Sequence, residues 1–365
     1  MKAEFDRKTL LNILHAAEKL SENPDGAVLL SCDGPACRIA VSDGDAGFRV
    51  PLTGTVRKPG RCLLPVRRAA ETLCTLPDGK ITVEADEHGN TTVTSGDYRC
   101  TFPAVTGTDE PQIPPAAGDV LFTIPHRFLV TAVQQTAYAA SPSGGRMPAM
   151  NGVLFRIRNG GLHLAGCDGS RIALFRCAGT AQCTEDRDVI VPAGFLRVFA
   201  ETPAGPDSVL TAVTDGVRIT FSLDGGAVFF TGLIETEYPA YERILPSSYR
   251  TEVTVGRDAF RDAVERILPT ARENRPGSPV KLEIREDSMM LTAENTGGSV
   301  SVRLPCTVEG PALAVGFHGH LLFDALDRIT GKTVRIRLNS PLTGVILDSP
   351  EEGDGFHFLM PRRLM

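Results

Sequence analysis

The chain has 365 residues, of which 42% are hydrophobic, and it carries a formal net charge of −6 at pH 7. A chain of this length and apolar content is expected to form two or three domains, each with its own core. Because phosphate contacts need lysine and arginine, the acidic balance excludes a broadly basic nucleic-acid surface, and any such contact must rest on a local basic patch.

The first predicted element is a short strand that leads directly into an amphipathic helix, and this pair recurs along the chain. Phe5, Ile124 and Val255 hold the same position in three copies, with separations of 119 and 131 residues (124 − 5 and 255 − 124). A second copy lies inside each unit, and the repeats predict three units of about 122 residues (365 divided by three). Apolar residues at helical spacing predict helices at residues 7–20, 66–76, 126–140, 193–201, 257–268 and 317–329.

Short alternating strands separated by turn residues lie between these helices, for example at residues 80–85 and 216–221. The pattern predicts an α+β fold of three repeated domains, each with antiparallel sheets and two helices. Proline-bearing stretches at residues 109–118 and 245–250 are the expected linkers. The predicted domains are residues 1–118, 119–246 and 247–365.

Positive charge is concentrated in the predicted helices. Together they carry a net charge of +3, which leaves −9 (−6 − 3) for the rest of the chain. One interpretation is that the helices line a surface that faces phosphate. The alternative is that lysine and arginine merely decorate solvated helix faces.

Residues typical of enzymes or metal sites do not form recognisable sets. The nine cysteines include no C-x-x-C pair, and His318 and His320 have no cysteine or carboxylate at ligand spacing. No nucleophile elbow, Walker A loop or dinucleotide fingerprint is present, and Asp168 in its Asp-Gly-Ser segment is typical of turn chemistry. We expect no catalytic residues, no cofactor and no metal. The chain also lacks an N-terminal apolar segment and a membrane-length apolar run, which predicts a soluble cytoplasmic protein.

Four short segments resemble one family when they are taken in order and at their spacing. They are Asn151-Gly-Val-Leu-Phe155, Cys167-Asp-Gly-Ser-Arg-Ile-Ala173, Tyr238-Pro-Ala-Tyr-Glu-Arg-Ile-Leu-Pro246 and Met360-Pro-Arg-Arg-Leu364. With the triple repeat, they make the chain similar over its whole length to the beta subunit of bacterial DNA polymerase III, the sliding clamp family.

The resemblance implies a fold and a function. Three clamp domains would form a crescent, and two crescents would close head to tail into a homodimeric ring with helices around the hole. Such a ring encircles double-stranded DNA without reading its sequence. It tethers replicative polymerase, clamp loader and repair proteins through a short apolar peptide motif, as a non-catalytic subunit of the polymerase holoenzyme.

The resemblance also implies three sets of site residues. The DNA-facing set is Arg67, Arg68, Arg127, Arg197, Arg243 and Arg328, of which the first two and Arg243 match family positions and the others rest on helix placement. The dimer interface would use Cys100 and Phe102 against Ile267 and Leu268. The partner-peptide groove would use Met150, Cys167, Gly169, Arg171, Ile172, Pro239, Ile244, Leu342, Gly344, Phe358, Met360, Pro361, Arg362 and Leu364.

The sequence departs from the family pattern at several positions. The loop at residues 21–26 is acidic where many clamps carry an arginine, and Ser170 and Cys167 replace a histidine and a threonine. Pro269 and Thr270 replace apolar interface residues, Arg146 is one position early, and Met365 is an extra terminal residue. These departures leave open an alternative, a divergent clamp-like scaffold that binds partners but does not serve the main replicase.

Overall fold

The computed structural model describes residues 1–20, 26–105, 110–142, 147–177, 179–205, 207–272, 279–353 and 355–364. Most of the acidic loop, together with Arg146 and Met365, lies outside the described residues.

Runs of strands separate the helices along the chain. In order they are β1 (Lys2–Asp6), α1 (Arg7–Leu20), β2 (Ala27–Asp33), β3 (Ala36–Ser42), β4 (Ala46–Leu52), β5 (Gly54–Lys58), β6 (Gly60–Pro65), α2 (Val66–Thr75), β7 (Lys80–Ala85), β8 (Thr91–Ser95), β9 (Tyr98–Phe102), β10 (Asp119–Pro125), α3 (His126–Thr136), β11 (Gly152–Arg158), β12 (Gly161–Cys167), β13 (Arg171–Cys177), β14 (Gln182–Cys183), β15 (Arg187–Pro192), α4 (Ala193–Glu201), β16 (Val209–Thr214), β17 (Arg218–Leu223), β18 (Val228–Gly232), β19 (Thr251–Gly256), α5 (Arg257–Arg272), β20 (Val280–Ile284), β21 (Ser288–Asn295), β22 (Gly298–Glu309), β23 (Leu313–Phe317), α6 (Gly319–Arg328), β24 (Thr333–Leu338), β25 (Val345–Asp348) and β26 (Gly355–Leu359). Short 3-10 helices lie at Ala137–Ala139, Pro148–Asn151 and Tyr241–Ile244.

Every α-helix of the described residues follows a strand at once or after a single residue, so the predicted strand-to-helix repeat is confirmed. Five helix boundaries differ from the prediction, and two of these, the ends of α2 at Thr75 and of α6 at Arg328, differ by a single residue. α3 ends at Thr136 and continues as a 3-10 turn, and α6 begins after Phe317, because Phe317 still pairs with Val280 in the β20–β23 ladder. α5 runs through Pro269 to Arg272, since Ala271 still buries apolar surface beyond the predicted end at residue 268.

The described residues group into two compact units. The first contains Met1–Val133, Arg156–Leu162 and Gly179–Glu235, and the second contains Gln134–Phe155, His163–Ala178 and Thr236–Met365. The three-domain division proposed from the repeats stays a prediction.

The first unit is built on two antiparallel sheets. Their strand orders are β5-β1-β7-β8-β9 and β14-β10-β16-β17-β18-β4-β3-β2-β6. α1 packs against α2 and α4, and it buries Leu10, Leu14 and Ala17 on one face, as its helical periodicity predicts. Asp6 caps α1 by accepting a 2.8 Å hydrogen bond from the Thr9 backbone N–H, which lowers the pKa of Asp6.

The second unit contains strands that are hydrogen-bonded in the order β13-β26-β25-β24-β19-β22-β21-β20-β23. α5 and α6 pack together over its core, where Phe260, Leu322 and Leu326 are fully buried. The α+β architecture with antiparallel sheets is therefore confirmed. No helix among the described residues combines the length and apolar character needed to cross a membrane.

Candidate functional site

Strand register in the second unit brings distant apolar residues onto one sheet face. Ile172 of β13 pairs with Phe358 of β26, and Phe358 pairs with Ile346 of β25. Residues directly opposite one another in an antiparallel ladder point to the same face. This strand pairing therefore places the end of the chain beside residues almost two hundred positions earlier in the sequence.

A cavity of about 140 Å³ opens on this face. It is lined by Met150, Cys167, Gly169, Ser170, Arg171, Ile172, Pro239, Ala240, Tyr241, Ile244, Phe358 and Met360. Three lining residues, Ser170, Ala240 and Tyr241, were not predicted. Their position beside the predicted Gly169 and Pro239, within the family-like segments, was the available signal.

The cavity has a buried apolar floor and an exposed apolar rim. Ile172 and Phe358 are 3% and 1% exposed, whereas Ile244 and Met360 are 55% and 41% exposed. Exposed apolar side chains grouped around a concavity are typical of a binding surface, while isolated ones are ordinary. The arrangement suits an apolar ligand group that enters from solvent.

Burial keeps Cys167 uncharged in the cavity wall. Its side chain is 3% exposed, and burial raises the pKa of the thiol. The neighbouring Tyr238 hydroxyl donates a 3.0 Å hydrogen bond to the Ala165 carbonyl, and burial raises its pKa as well. This wall therefore presents neutral surface.

The remaining predicted groove residues lie outside the cavity lining. Gly344 is buried, and a Cβ at this position would overlap Cε2 and Cζ of Phe358, so its lack of a side chain makes room for that ring. Leu342 is 62% exposed and does not line the cavity.

The chain end is held in place by backbone contacts. The Met360 N–H donates to the Ser170 carbonyl at 2.9 Å, and the Arg362 N–H donates to the Gly316 carbonyl at 2.7 Å. Arg362 forms a bridge to Gly316, and Leu364 packs against the same glycine, where a Cβ would lie 2.8 Å from Leu364 Cδ2. Arg362 and Leu364 therefore anchor the segment that carries Met360 and Pro361.

Arg171 is held by a charged turn and an aromatic ring. Its Nε and one terminal nitrogen bond Asp168 and Asp324 at 2.9 and 2.7 Å, and its guanidinium carbon lies 5.0 Å from the Tyr138 ring centroid. Asp168 also accepts backbone hydrogen bonds from Ser170 and Arg171, and Gly169 between them has φ +89°, which favours glycine. Asp168 thus serves the turn, as predicted, and Arg171 shapes the cavity edge.

A buried polar pair lies behind Arg171. The Tyr138 hydroxyl and His357 Nδ1 are 2.8 Å apart, and burial lowers the pKa of His357 to about 4. Because a protonated imidazole would be costly in this site, His357 is neutral at pH 7.

The predicted DNA-facing arginines fall into two groups. The exposed arginines are Arg67, Arg68, Arg127, Arg197 and Arg243. Arg67 and Arg127 form exposed ion pairs with Glu71 and Asp207. Arg328 is half-buried, with its guanidinium carbon 5.6 Å from the Tyr138 ring centroid and a buried Nε. The DNA-facing role of Arg328 stays a prediction that rests on helix placement, and part of its side chain packs against the protein.

The predicted interface residues also differ in exposure. Cys100 is half-buried and Phe102 is buried, and both belong to β9, the last strand of its five-stranded sheet. Ile267 and Leu268 are 0% and 5% exposed within the core of the second unit. Like that of Phe102, which is 5% exposed, their side chains are unavailable to a partner surface, which corrects that part of the prediction. The spacing of Ile267 and Leu268 fits the buried face of α5.

His318 and His320 have ring centroids 5.9 Å apart, and burial lowers the pKa of His318. Among the described residues, no group of three or more histidine, cysteine or acidic side chains is arranged to hold a metal ion.

Comparisons with known proteins agree with this architecture. The family model for the DNA polymerase III beta subunit, central domain, matches residues 123–240, and the model for its C-terminal domain matches residues 242–363. The beta sliding clamp of Pseudomonas putida is 25% identical over 344 residues, which cover 92% of this chain and 91% of the relative. The beta sliding clamp of Halalkalibacterium halodurans is 24% identical and is matched over 96% of each chain.

Solved structures show the same fold. The DNA polymerase III beta subunit of Thermotoga maritima superposes with a TM-score of 0.83 at 20% identity, over 100% of each chain. A sliding clamp from Pseudomonas aeruginosa bound to griselimycin superposes with a TM-score of 0.81 at 22% identity, again over 100% of each chain.

Proposed function

The chain belongs to the DNA polymerase III beta subunit family, and from this premise we propose that it is a DNA sliding clamp. As such it acts in DNA replication in the cytoplasm as a non-catalytic processivity factor. It encircles duplex DNA as a head-to-tail homodimeric ring and tethers polymerase, clamp loader and repair proteins.

The observation that carries the proposal is the apolar cavity of the second unit. Segments around residues 150, 167–172, 239–244 and 358–360 meet there, although they are far apart in sequence. Buried Ile172 and Phe358 would receive apolar anchors of a partner peptide, and Met360 and Ile244 would close over them. Methionine suits a site that accepts varied partners, because its side chain is flexible and polarisable.

DNA contact is proposed for the exposed arginines Arg67, Arg68, Arg127, Arg197 and Arg243. Exposed ion pairs such as Arg67–Glu71 are weak, so phosphate can compete for these guanidinium groups. Sparse contacts of this kind are salt-sensitive and independent of sequence, which allows a closed ring to slide.

Ring closure is proposed to use β9 of one copy, the strand that carries Cys100 and Phe102. Within the described residues, β9 pairs only with β8. In the second unit, residues 298–305 of β22 pair only with β21, again among the described residues. An edge strand of one copy could therefore pair with the different edge strand of a second copy. Such a head-to-tail contact, made twice, would close a ring of two copies.

The test titrates a fluorescent peptide with apolar anchors against the intact chain and two single variants. Ile244→Ala removes a rim residue, and Val217→Ala removes a comparably exposed β-branched residue from the first unit, where exposure is 62%. We expect micromolar binding, at least about fivefold weaker in Ile244→Ala because roughly 1 kcal/mol of apolar contact is lost, and unchanged in Val217→Ala.

Sizing of the same samples should give about twice the 39.1 kDa chain mass. A clamp loader should place this dimer on primed circular DNA. A dimer that binds the peptide but cannot be loaded would favour the divergent scaffold, and a monomer that ignores the peptide would contradict both readings.

A further inference from the structure

The sheet face that carries the apolar cavity continues into a second, polar cavity of about 430 Å³ in the same unit. Its charged lining residues are Arg176, Arg335, Arg337 and Asp348, and Tyr249 and Phe356 supply aromatic walls. We call these six residues the arginine pocket.

Register shows that the two cavities share one face. Arg337 of β24 pairs with Ile346, which pairs with Phe358, which in turn pairs with Ile172 of the apolar cavity. Arg176 lies four positions after Ile172 on β13 and therefore points to the same side as Ile172. The arginine pocket and the apolar cavity thus lie on the same sheet face, along β13 and β26.

The pocket contains more positive than negative charge. Asp348, whose side chain is 7% exposed, accepts bonds of 2.8 and 3.1 Å from Arg335 and also pairs with Arg337. One carboxylate is therefore shared by two guanidinium groups, and the buried Nε of Arg337 has no hydrogen-bond partner among the described residues.

Arg176 adds a third cation. It is exposed, lies 6.0 Å from the Phe356 ring centroid, and makes no ion pair within the described part of the chain. Glu252, the cross-strand neighbour of Arg337, does not line the pocket. Among the described residues, the lining carries three cations and one anion.

We propose that the arginine pocket binds a carboxylate side chain of the same partner peptide whose apolar residues occupy the apolar cavity. The inference rests on the proposed clamp function and adds a charge preference to it. A planar guanidinium can bond a carboxylate through two N–H groups, and an acidic flank on a peptide would complement the pocket. The concave shape, the aromatic walls and the position on the same sheet face as the apolar cavity favour a peptide over the backbone of duplex DNA.

The strand spacing sets where the acidic residue should lie. Four residues along β13 span about 13 Å, at roughly 3.3 Å per residue. An extended peptide therefore needs its carboxylate about four positions from its apolar anchor. Either peptide direction satisfies this distance, so both flanks require testing.

The experiment compares labelled peptides with the same apolar anchor and either Asp-Asp or Asn-Asn placed about four residues away, before or after the anchor. They are titrated against the intact chain and against the variants Arg176→Gln and Arg285→Gln. Arg285→Gln is the control, because Arg285 is exposed in the same unit and does not line either cavity. Arg176 is chosen because its exposure lets the fold tolerate substitution, whereas Arg335 and Arg337 hold a buried carboxylate.

We expect one acidic peptide to bind the intact chain about three- to fivefold more tightly than its amide counterpart at low salt, as one partly exposed ion pair allows. Arg176→Gln should abolish this preference without changing affinity for the Asn-Asn peptide, and Arg285→Gln should change neither. Rising salt should reduce the preference.

Equal affinity for both peptides, or a preference that survives Arg176→Gln, would overturn the inference while leaving the clamp proposal intact. A loss of duplex DNA affinity in Arg176→Gln with no effect on peptides would assign the pocket to DNA and also overturn it. If neither peptide binds the intact chain, the proposed function itself fails.

Discussion

Gly344→Ala tests whether the buried wall of the apolar cavity depends on an absent side chain. The new Cβ would overlap Cε2 and Cζ of Phe358 and lie 3.1 Å from Cδ2. Ordinary carbon contacts are about 3.5–4.0 Å, so the ring must shift by roughly 1–2 Å. Phe358 is 1% exposed and paired in register with Ile172 and Ile346, so its ring cannot shift without displacing neighbours or entering the cavity.

Two effects should follow from Gly344→Ala. Overpacking of this kind typically lowers the free energy of unfolding by about 1–3 kcal/mol. A peptide anchor that loses about 50 Å² of contact with the displaced ring would lose roughly 1.3 kcal/mol, or about tenfold in affinity. Fluorescence anisotropy measures the affinity, and urea unfolding measures the stability.

Gly256→Ala is the matched control, because a Cβ there meets no atom within 4 Å in the same unit. The double variant Gly344→Ala/Phe358→Leu should recover part of the lost stability, since a smaller side chain relieves the overlap. If Gly344→Ala binds peptide as tightly as the unaltered chain, Phe358 is not a wall of the binding site and the reasoning is refuted.

Three further predictions concern the buried network and the exposed arginines. Burial lowers the pKa of His357 from 6.5 to about 4, so the unfolded chain binds the proton more readily than the folded chain does. The free energy of unfolding should therefore be highest above pH 6.5 and fall by about 3 kcal/mol as the pH drops towards 4. Urea midpoints at pH 7, 6 and 5 measure this loss, and an unchanged pH dependence in His357→Leu would contradict it. Tyr138→Phe removes the 2.8 Å contact with His357 but keeps the ring beside Arg171, so it should lower the free energy of unfolding by about 1 kcal/mol. Tyr138→Ala also removes the ring and should lower it by about 3 kcal/mol or more in the same unfolding assay. Equal losses in the two variants would argue against a packing role for the ring. Arg67→Ala/Arg68→Ala should weaken duplex DNA binding and reduce the slope of log affinity against log salt concentration by up to about 2. Arg38 is an exposed arginine on a strand, and Arg38→Ala should leave this slope unchanged. Similar slopes for both variants would contradict the proposal that the helix surface contacts DNA.

Local patterns predicted much of the fold. The strand-to-helix repeat depends on neighbouring residues, so apolar spacing in segments such as 7–20 and 193–201 located helices that the structure reproduces. α5 shows the limit of this reasoning. Its spacing correctly placed Ile267 on an apolar face, but it could not distinguish a face buried in the chain's own core from one reserved for a second copy.

The site was predicted less completely than the fold, because its geometry depends on register between strands far apart in sequence. Nothing near Arg337 in the sequence indicates that successive cross-strand pairs connect it to Ile172 on the same sheet face. Gly344 was predicted as a groove residue, but its role is to leave room for Phe358, and that role appears only when the two strands meet. Similarly, Arg328 was assigned from its helix, while its side chain is turned against Tyr138.

The position of β9 at the end of its sheet has a consequence for the protein's behaviour when copies are separated. An unpaired strand edge can pair with any extended chain, so it is a starting point for aggregation. Tyr98 on this strand is 41% exposed, which adds apolar surface to the free backbone groups. If ring closure covers β9, dilution would expose it, and separated copies would aggregate more readily than closed rings. Colloidal stability would then depend on how long a copy stays unpaired.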